Sequence, residues 1–431
     1  MFPRDLRKRS ARERRSLIRT LIPDSFNSLS DEEGILDLAD VMVESAVGTL
    51  AVPVGIAAGF LINDQEFAVP LAVEEPSVIA AATYAGRIIR SGGGFEAWST
   101  EPVMTVQIPV TGASSGAAQR LLAARDGMAA GMKETLANMS VRGGGFRGLR
   151  VTEAQDRTLL LVEIDIDTRD AMGANIINTA GEAVRGLIEE VSGGSVLMAI
   201  LTNASPQRHS GARFRIPVSG LKRGGRDGAT MARRVVQAND FADSNFNRAV
   251  THNKGIMNGV ASLTLATGND TRAVEAAAHA WAAREGRYRA LTSYRVEAFD
   301  SPEGQSGDDG REYLLGELEL PMALGTIGGA ASIHPGAREA LGVLSLGLGR
   351  PITAGELGQV AVSVGLAQNL AALLALVGEG IQGGHMRLHA RRLAFQAGAR
   401  GKEIEAVAER LVAEGTFNVE TARDALSGIS S

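Results

Sequence analysis

From Leu357 to Gly378 the chain runs for 22 residues without a charge, the length at which a helix either crosses a membrane or fills a protein core. Gln359, Ser363, Gln368 and Asn369 interrupt the apolar run, and several glycines lie among them. Side-chain amides at those positions favour a core helix, where they find partners, over one facing lipid. A buried helix of this length needs a large body around it. The 431 residues supply one and make more than one domain the expectation.

Local patterns divide the rest. Ser30-Asp31-Glu32-Glu33 reads as a helix start with acids at the positive end of the dipole. Phe67 to Val73 reads as a strand, and Glu74-Glu75-Pro76-Ser77 then opens an Ala-rich helix, placing two carboxylates at a strand-to-helix junction. From Val103 to Leu201 the pattern runs strand, helix, strand, strand, helix, strand, the split βαβ order of a ferredoxin-like unit. The expected class is therefore α+β. A large, mainly helical domain is formed by 1–106 and 212–375, a small ferredoxin-like domain by 107–211 is inserted in it, and a helical C-terminal segment occupies 376–431.

Charge and composition exclude several functions. With no cysteine, thiolate metal sites and a cysteine nucleophile are absent. A net charge of −5 argues against nucleic-acid binding. The first twenty residues carry a cluster of arginines that includes Arg7, suited to phosphate or to a solvated helix face. The basic start is not followed by an apolar segment of the secretory kind, so a cytoplasmic location without membrane attachment is expected.

Two glycine runs invite a nucleotide. Gly143-Gly144-Gly145-Phe146-Arg147-Gly148 has the letters of a dinucleotide fingerprint, but a helix precedes it and a strand follows, the reverse of what that fingerprint requires. Asp170-Ala171-Met172-Gly173-Ala174-Asn175 opens a helix directly after a strand, where backbone amides can hold an anion. Taken alone, that string is more often an ordinary helix start.

The string resembles the dinucleotide-binding signature of the HMG-CoA reductase family, and other blocks agree with it in order along the chain. Glu44-Ser45-Ala46-Val47-Gly48-Thr49 is similar to a family segment that usually has Asn in place of Ser45. Pro70 to Ser77 resembles the glutamate block. His252-Asn253-Lys254-Gly255-Ile256-Met257-Asn258 resembles the lysine block, Ala266-Thr267-Gly268-Asn269-Asp270 the aspartate block, and Gly384-His385-Met386 with His389 the histidine block. The likeness is to the soluble class II form.

The resemblance implies a four-electron interconversion of HMG-CoA and mevalonate plus CoA, using two NAD(P)H and passing through mevaldyl-CoA and mevaldehyde. It implies catalytic roles for Glu75, Lys254, Asp270 and His385. A fixed cation suits the oxyanion that forms as hydride reaches the thioester, which is the role of Lys254. His385, with an ordinary pKa of about 6.5, suits protonation of the departing CoA thiolate. Glu75 is the proton donor, provided burial or Asp270 keeps its proton on. Asp270 is expected between Glu75 and Lys254, coupling the network.

Substrate contacts implied by the resemblance are Ser77, Arg248, Thr251, Asn258, Gln368 and Asn369, with Arg7 on the CoA phosphates. Arg248 suits the free carboxylate, which a guanidinium grips with two parallel bonds. Dinucleotide contacts are Asp170, Met172, Gly173, Ala174, Asn175 and Asn203, with Arg147 and Gly148 near the ribose. At Gly148 no carboxylate stands to repel a 2′-phosphate, and Arg147 and Arg150 lie beside it, so NADP is compatible and NAD remains open. No metal is expected, since His385 and His389 lack the glutamate of a metal-binding helix. A homodimer or higher homo-oligomer is implied, with active sites at the subunit interface. Two other readings stay open: a different NAD(P)-dependent reductase of a CoA thioester or small carbonyl compound, and an inactive homologue that binds CoA esters.

Overall fold

A computed structural model describes residues 34–153, 159–299, 311–378 and 382–429, together with Ser10, Arg12, Glu13 and Ser16. It is an α+β structure built on two sheets. The first has six strands in the order β10-β11-β9-β3-β1-β2. These are β1 (Val54–Ile62), β2 (Gln65–Ala72), β3 (Phe95–Ser99), β9 (His209–Pro217), β10 (Thr292–Phe299) and β11 (Arg311–Pro321). All pairings are antiparallel except β1 with β3.

The uncharged stretch forms the central helix of this body, Ala354–Val377. It is long and apolar enough to cross a membrane, yet protein covers most of its surface. A helix apolar all round belongs in a core. Thr353 and Glu356 close its first turn with a capping box, each side chain bonding the other's backbone amide. The Phe246–Ala266 helix packs against it, begun by Asn245, whose side chain accepts from the Arg248 amide at 3.0 Å.

The second sheet contains β4 (Val103–Thr111), β5 (Gly145–Glu153), β6 (Leu159–Asp167), β7 (Ser195–Val196) and β8 (Ile200–Leu201). Its order is β5-β6-β4-β7, with β8 also paired to β4, and all neighbours are antiparallel. That is the strand order of a ferredoxin-like unit. Leu160, Val162, Ile164 and Ile166 alternate inward along β6, as a half-covered strand requires, and meet Met128, Met132 and Ile188 from the helices.

The strand ladders correct the expected domain edges. β4 pairs with β6 from Val103 onward, so an edge at 106/107 falls inside a strand. The return edge at 211/212 likewise falls inside β9, which pairs with β11 from His209 and with β3 from Ser210. The chain passes between the two bodies in the β3–β4 and β8–β9 connections. The two helical stretches of this unit are each broken into shorter pieces, Ala117–Ala123, Arg125–Gly131 and Ala137–Ser140 in the first and Ala174–Ala183 and Arg185–Ser192 in the second.

Three further helices, Gln382–Gln396, Glu403–Glu414 and Val419–Ser427, close around a small core of their own that includes Ala390, Leu393, Val407, Leu411 and Ala422. Ser30 to Glu33 lie outside the described residues, and the helix that follows them spans Ile35–Met42.

Candidate active site

Lys254 and Glu75 come together from distant parts of the chain. Glu75 sits in the connection between β2 and the Val78–Ser91 helix, and its Oε2 accepts a hydrogen bond from Lys254 Nζ at 3.0 Å. The side chains are 40% and 61% exposed, so the pair stands at an open surface and solvent screens it.

The surroundings of Lys254 follow from helix geometry. Arg248, Thr251, Lys254 and Asn258 recur at three- and four-residue spacing, which turns them toward one side of the Phe246–Ala266 helix. None of the four is buried, whereas His252, Asn253 and Ile256 on the opposite flank are. A side chain built at Gly255 would meet nothing within 4 Å, so the face opens into free space.

Ser77 precedes the next helix with φ at +77°, a left-handed conformation that costs a non-glycine residue about 1–2 kcal/mol. Strain of that kind at a half-buried serine two positions from Glu75 points to a functional site.

Gln368 and Asn369 lie on the central helix, and both are buried. They differ in what they bond. Asn369 Oδ1 accepts from Tyr294 Oη at 2.9 Å, and its Nδ2 lies 3.1 Å from His252 Nε2. Its amide is thus engaged in the core. The Gln368 carbonyl oxygen has no hydrogen-bond partner among the described residues, although the residue is 6% exposed.

Asp270 was expected between Glu75 and Lys254. Lys254 lies on a continuous helix whose axis rises about 18 Å before Ala266, and Asp270 follows beyond that end. There its Oδ1 accepts from the amides of Arg272 and Ala273 at 2.9 and 3.1 Å, capping the Thr271–Ala282 helix. Among the described residues its side-chain hydrogen bonds are all with this helix start, and the bond that Lys254 makes is to Glu75.

His385 falls in the Gln382–Gln396 helix, but its side chain lies outside the described residues, as does all of Arg7. The same helix borders the site: Pro76, next to Glu75, lines a cleft of about 620 Å³ with His389, Arg392 and Phe395.

On the second sheet, Gly173 begins the Ala174–Ala183 helix with φ at +92° and no side-chain cap. A Cβ at Gly173 would stand 2.6 Å from Thr168 Cγ2, so glycine is required there. The uncapped amides from Ala174 onward suit a pyrophosphate, and Met172 and Asn175 flank them. The Asp170 Oδ1 accepts from the Ala354 amide at 2.8 Å, a bond that ties the two bodies together. Asn203 is exposed in the turn after β8.

The arginines near Gly148 are already paired. Arg147 Nη2 meets the buried Asp167 carboxylate at 2.5 Å, and Arg150 bonds Asp165, which faces Gly148 across the ladder. Their positive charge is largely answered, which weakens the argument for a 2′-phosphate.

Sequence reasoning assigned no role to Arg208, a buried guanidinium, or to Asn269. Neither leaves a periodic signal, and only the folded contacts bring them out.

A Lys–Glu pair on an open face and a ferredoxin-like sheet beside a larger α+β body describe the frame, and comparison with known proteins specifies the family. The sequence profile described as hydroxymethylglutaryl-coenzyme A reductase matches residues 10–390. The 3-hydroxy-3-methylglutaryl-coenzyme A reductase of Archaeoglobus fulgidus is 40% identical over 420 residues, covering 94% of this chain and 91% of that protein. A probable reductase of the same name from Borreliella burgdorferi is 31% identical, covering 90% and 86%. The solved 3-hydroxy-3-methylglutaryl-coenzyme A reductase of Streptococcus pneumoniae superposes with a TM-score of 0.75 at 38% identity, covering 100% of both chains. A second structure from that organism, a class II enzyme bound to NADPH in open conformations, gives 0.74 at 38% identity, covering 98% of this chain and 100% of that one.

The chain belongs to the hydroxymethylglutaryl-coenzyme A reductase family, in its class II form. It is accordingly an NAD(P)-dependent oxidoreductase.

Proposed function

We propose that the chain interconverts HMG-CoA and mevalonate at a centre formed by Lys254 and Glu75 of one protomer and Asp270 of a second copy. The observation that carries this reading is the 3.0 Å bond between Lys254 and Glu75 on the open face shared with Arg248, Thr251 and Asn258.

The Gly173 turn would hold NAD(P)H, which would supply the hydride. Lys254 holds the thioester oxygen as it gains charge, a contribution of about 10²–10³ in rate. When the carbonyl reforms, the C–S bond breaks with its electrons on sulfur, and His385 gives the thiolate a proton. The mevaldehyde carbonyl then takes the second hydride, and Glu75 protonates the resulting alkoxide. Two hydrides and two protons thus convert the thioester to alcohol and free CoA. Arg248 grips the distal carboxylate, while Ser77, Thr251, Asn258 and Gln368 orient the substrate. Arg7 meets the CoA phosphates, and the C-terminal helices close over the site as a flap carrying His385. Met172, Gly173, Ala174 and Asn175 hold the dinucleotide, with Asn203, Arg147 and Gly148 at its edge.

The helix supports a second copy. Asp270 follows the far end of the helix that carries Lys254, and a twofold partner could present its own Asp270 there. Exposed Val41, Met42, Val43, Leu50, Val54 and Ile56 supply apolar surface for such a homodimer. Burial of the central helix supports a soluble, cytoplasmic protein.

The test is nicotinamide absorbance with purified protein, HMG-CoA, and NADH or NADPH in turn. Two cofactors oxidised per HMG-CoA support the four-electron reading, and the faster one identifies the preferred nucleotide. A folded dimer that oxidises neither overturns it.

A further inference from the structure

Arg208 lies between the two bodies, 4% exposed, and its guanidinium donates to oxygens of both. Nη1 bonds Thr168 Oγ1 at 2.9 Å and the Ala171 carbonyl at 3.1 Å, and Nη2 bonds the Leu324 carbonyl. Burial lowers its pKa to about 10, against the pull of Asp167 and Asp170, so it stays charged near neutrality.

One residue beyond Leu324, Asn269 holds the same segment from the opposite direction. Its Oδ1 accepts from the Gly325 amide at 2.7 Å and its Nδ2 donates to the Gly325 carbonyl at 3.0 Å. A Cβ at Gly325 would stand 2.4 Å from the Met172 amide nitrogen, which shows how closely the two backbones approach. The Asp170 carbonyl also accepts from the Thr326 amide at 2.8 Å. Asn269 is followed directly by Asp270, whose carboxylate is fixed by its helix cap. Residues 324–326 therefore form a bracket between the turn at Ala171–Met172 and the proposed catalytic aspartate.

We infer that Arg208 and Asn269 are positioning residues that fix the dinucleotide turn against Asp270, and so set the approach of the hydride donor to the thioester carbon. This rests on the reading of the Gly173 turn as the dinucleotide site. A guanidinium suits the task because its rigid fork reaches oxygens on two bodies at once, which an ammonium does not.

The experiment uses the full-length protein carrying Arg208→Lys or Asn269→Ser, with melting curves to measure the folded fraction. Steady-state rates are compared with NAD(P)H and with its 4-deuterated form, and HMG-CoA binding is measured without nucleotide. Turnover per folded protein is expected to fall by roughly ten- to a hundredfold, since small misplacements of reacting groups are costly. The isotope effect should rise as hydride transfer becomes limiting, with HMG-CoA affinity unchanged. Losses that follow the folded fraction, with the isotope effect unchanged, overturn the inference. If Arg208→Lys fails to fold, Asn269→Ser decides alone. Nucleotide binding retained in Gly173→Val would instead refute the dinucleotide reading on which the inference stands.

Discussion

His252 Nε2 lies 3.1 Å from Asn369 Nδ2, joining the lysine-bearing helix to the central apolar helix through a buried polar contact. Thr292 Oγ1 stands 2.6 Å from the same ring nitrogen and donates to Asn239 Oδ1 at 2.9 Å, so the contact belongs to a network beneath the site. Burial pulls the His252 pKa down to about 4, with the nearby Arg248 acting in the same direction. The imidazole is therefore neutral at working pH.

A pH dependence of stability follows. The unfolded chain takes up a proton at this residue near pH 6.5, whereas the folded chain does so only near 4. The stabilisation is present above about 6.5, is lost as pH falls through that window, and levels off below 4, with a size of roughly 3 kcal/mol. Denaturant unfolding at pH 7 and pH 4.5 checks this. Wild type should lose more stability across the interval than His252→Gln.

Lys254→Ala should cut turnover by about 10²–10³. Because the side chain is 61% exposed, the melting temperature should hold within a few degrees. NAD(P)H binding should not change, since the nucleotide turn lies on the other body. Equilibrium titration beside steady-state kinetics checks both halves.

At Gly173, substitution by Val should abolish nucleotide binding while HMG-CoA still binds. The left-handed backbone and the 2.6 Å approach to Thr168 leave no room for a branched side chain without moving the helix start. Fluorescence of bound NAD(P)H is the readout.

Gln368→Leu separates stability from binding. The buried carbonyl oxygen lacks a partner, so removing it should leave the fold as stable or more so. HMG-CoA affinity should weaken by roughly tenfold if that oxygen receives a substrate hydroxyl. Calorimetric binding and a melting curve on the same sample decide it.

Much of this arrangement was legible before the fold. The small sheet showed in its strand and helix order and the core helix in its uncharged length; Glu75 and Lys254 were expected in one site from blocks that stand far apart, but with Asp270 between them and not in the direct bond they make. The cap that Asp270 makes on the Thr271–Ala282 helix was not read from the sequence, because sequence blocks carry no distances. Asn369 was read as a ligand contact although its neighbour Gln368 keeps the open acceptor, a difference set by which helix faces meet His252 and Tyr294. Arg208 gave no signal, since a buried arginine bonded to backbone carbonyls and a threonine hydroxyl has no charged partner for sequence to reveal.

The composite site is tested most directly by mixing two inactive proteins, Lys254→Ala and Asp270→Asn, under conditions that exchange subunits. In a mixed dimer one of the two sites has both wild-type residues if each site draws its lysine and aspartate from different protomers. An equal mixture should then recover up to about a quarter of wild-type turnover. Confirmed subunit exchange with no recovered activity would place Lys254 and Asp270 of the same chain in one site and contradict the account.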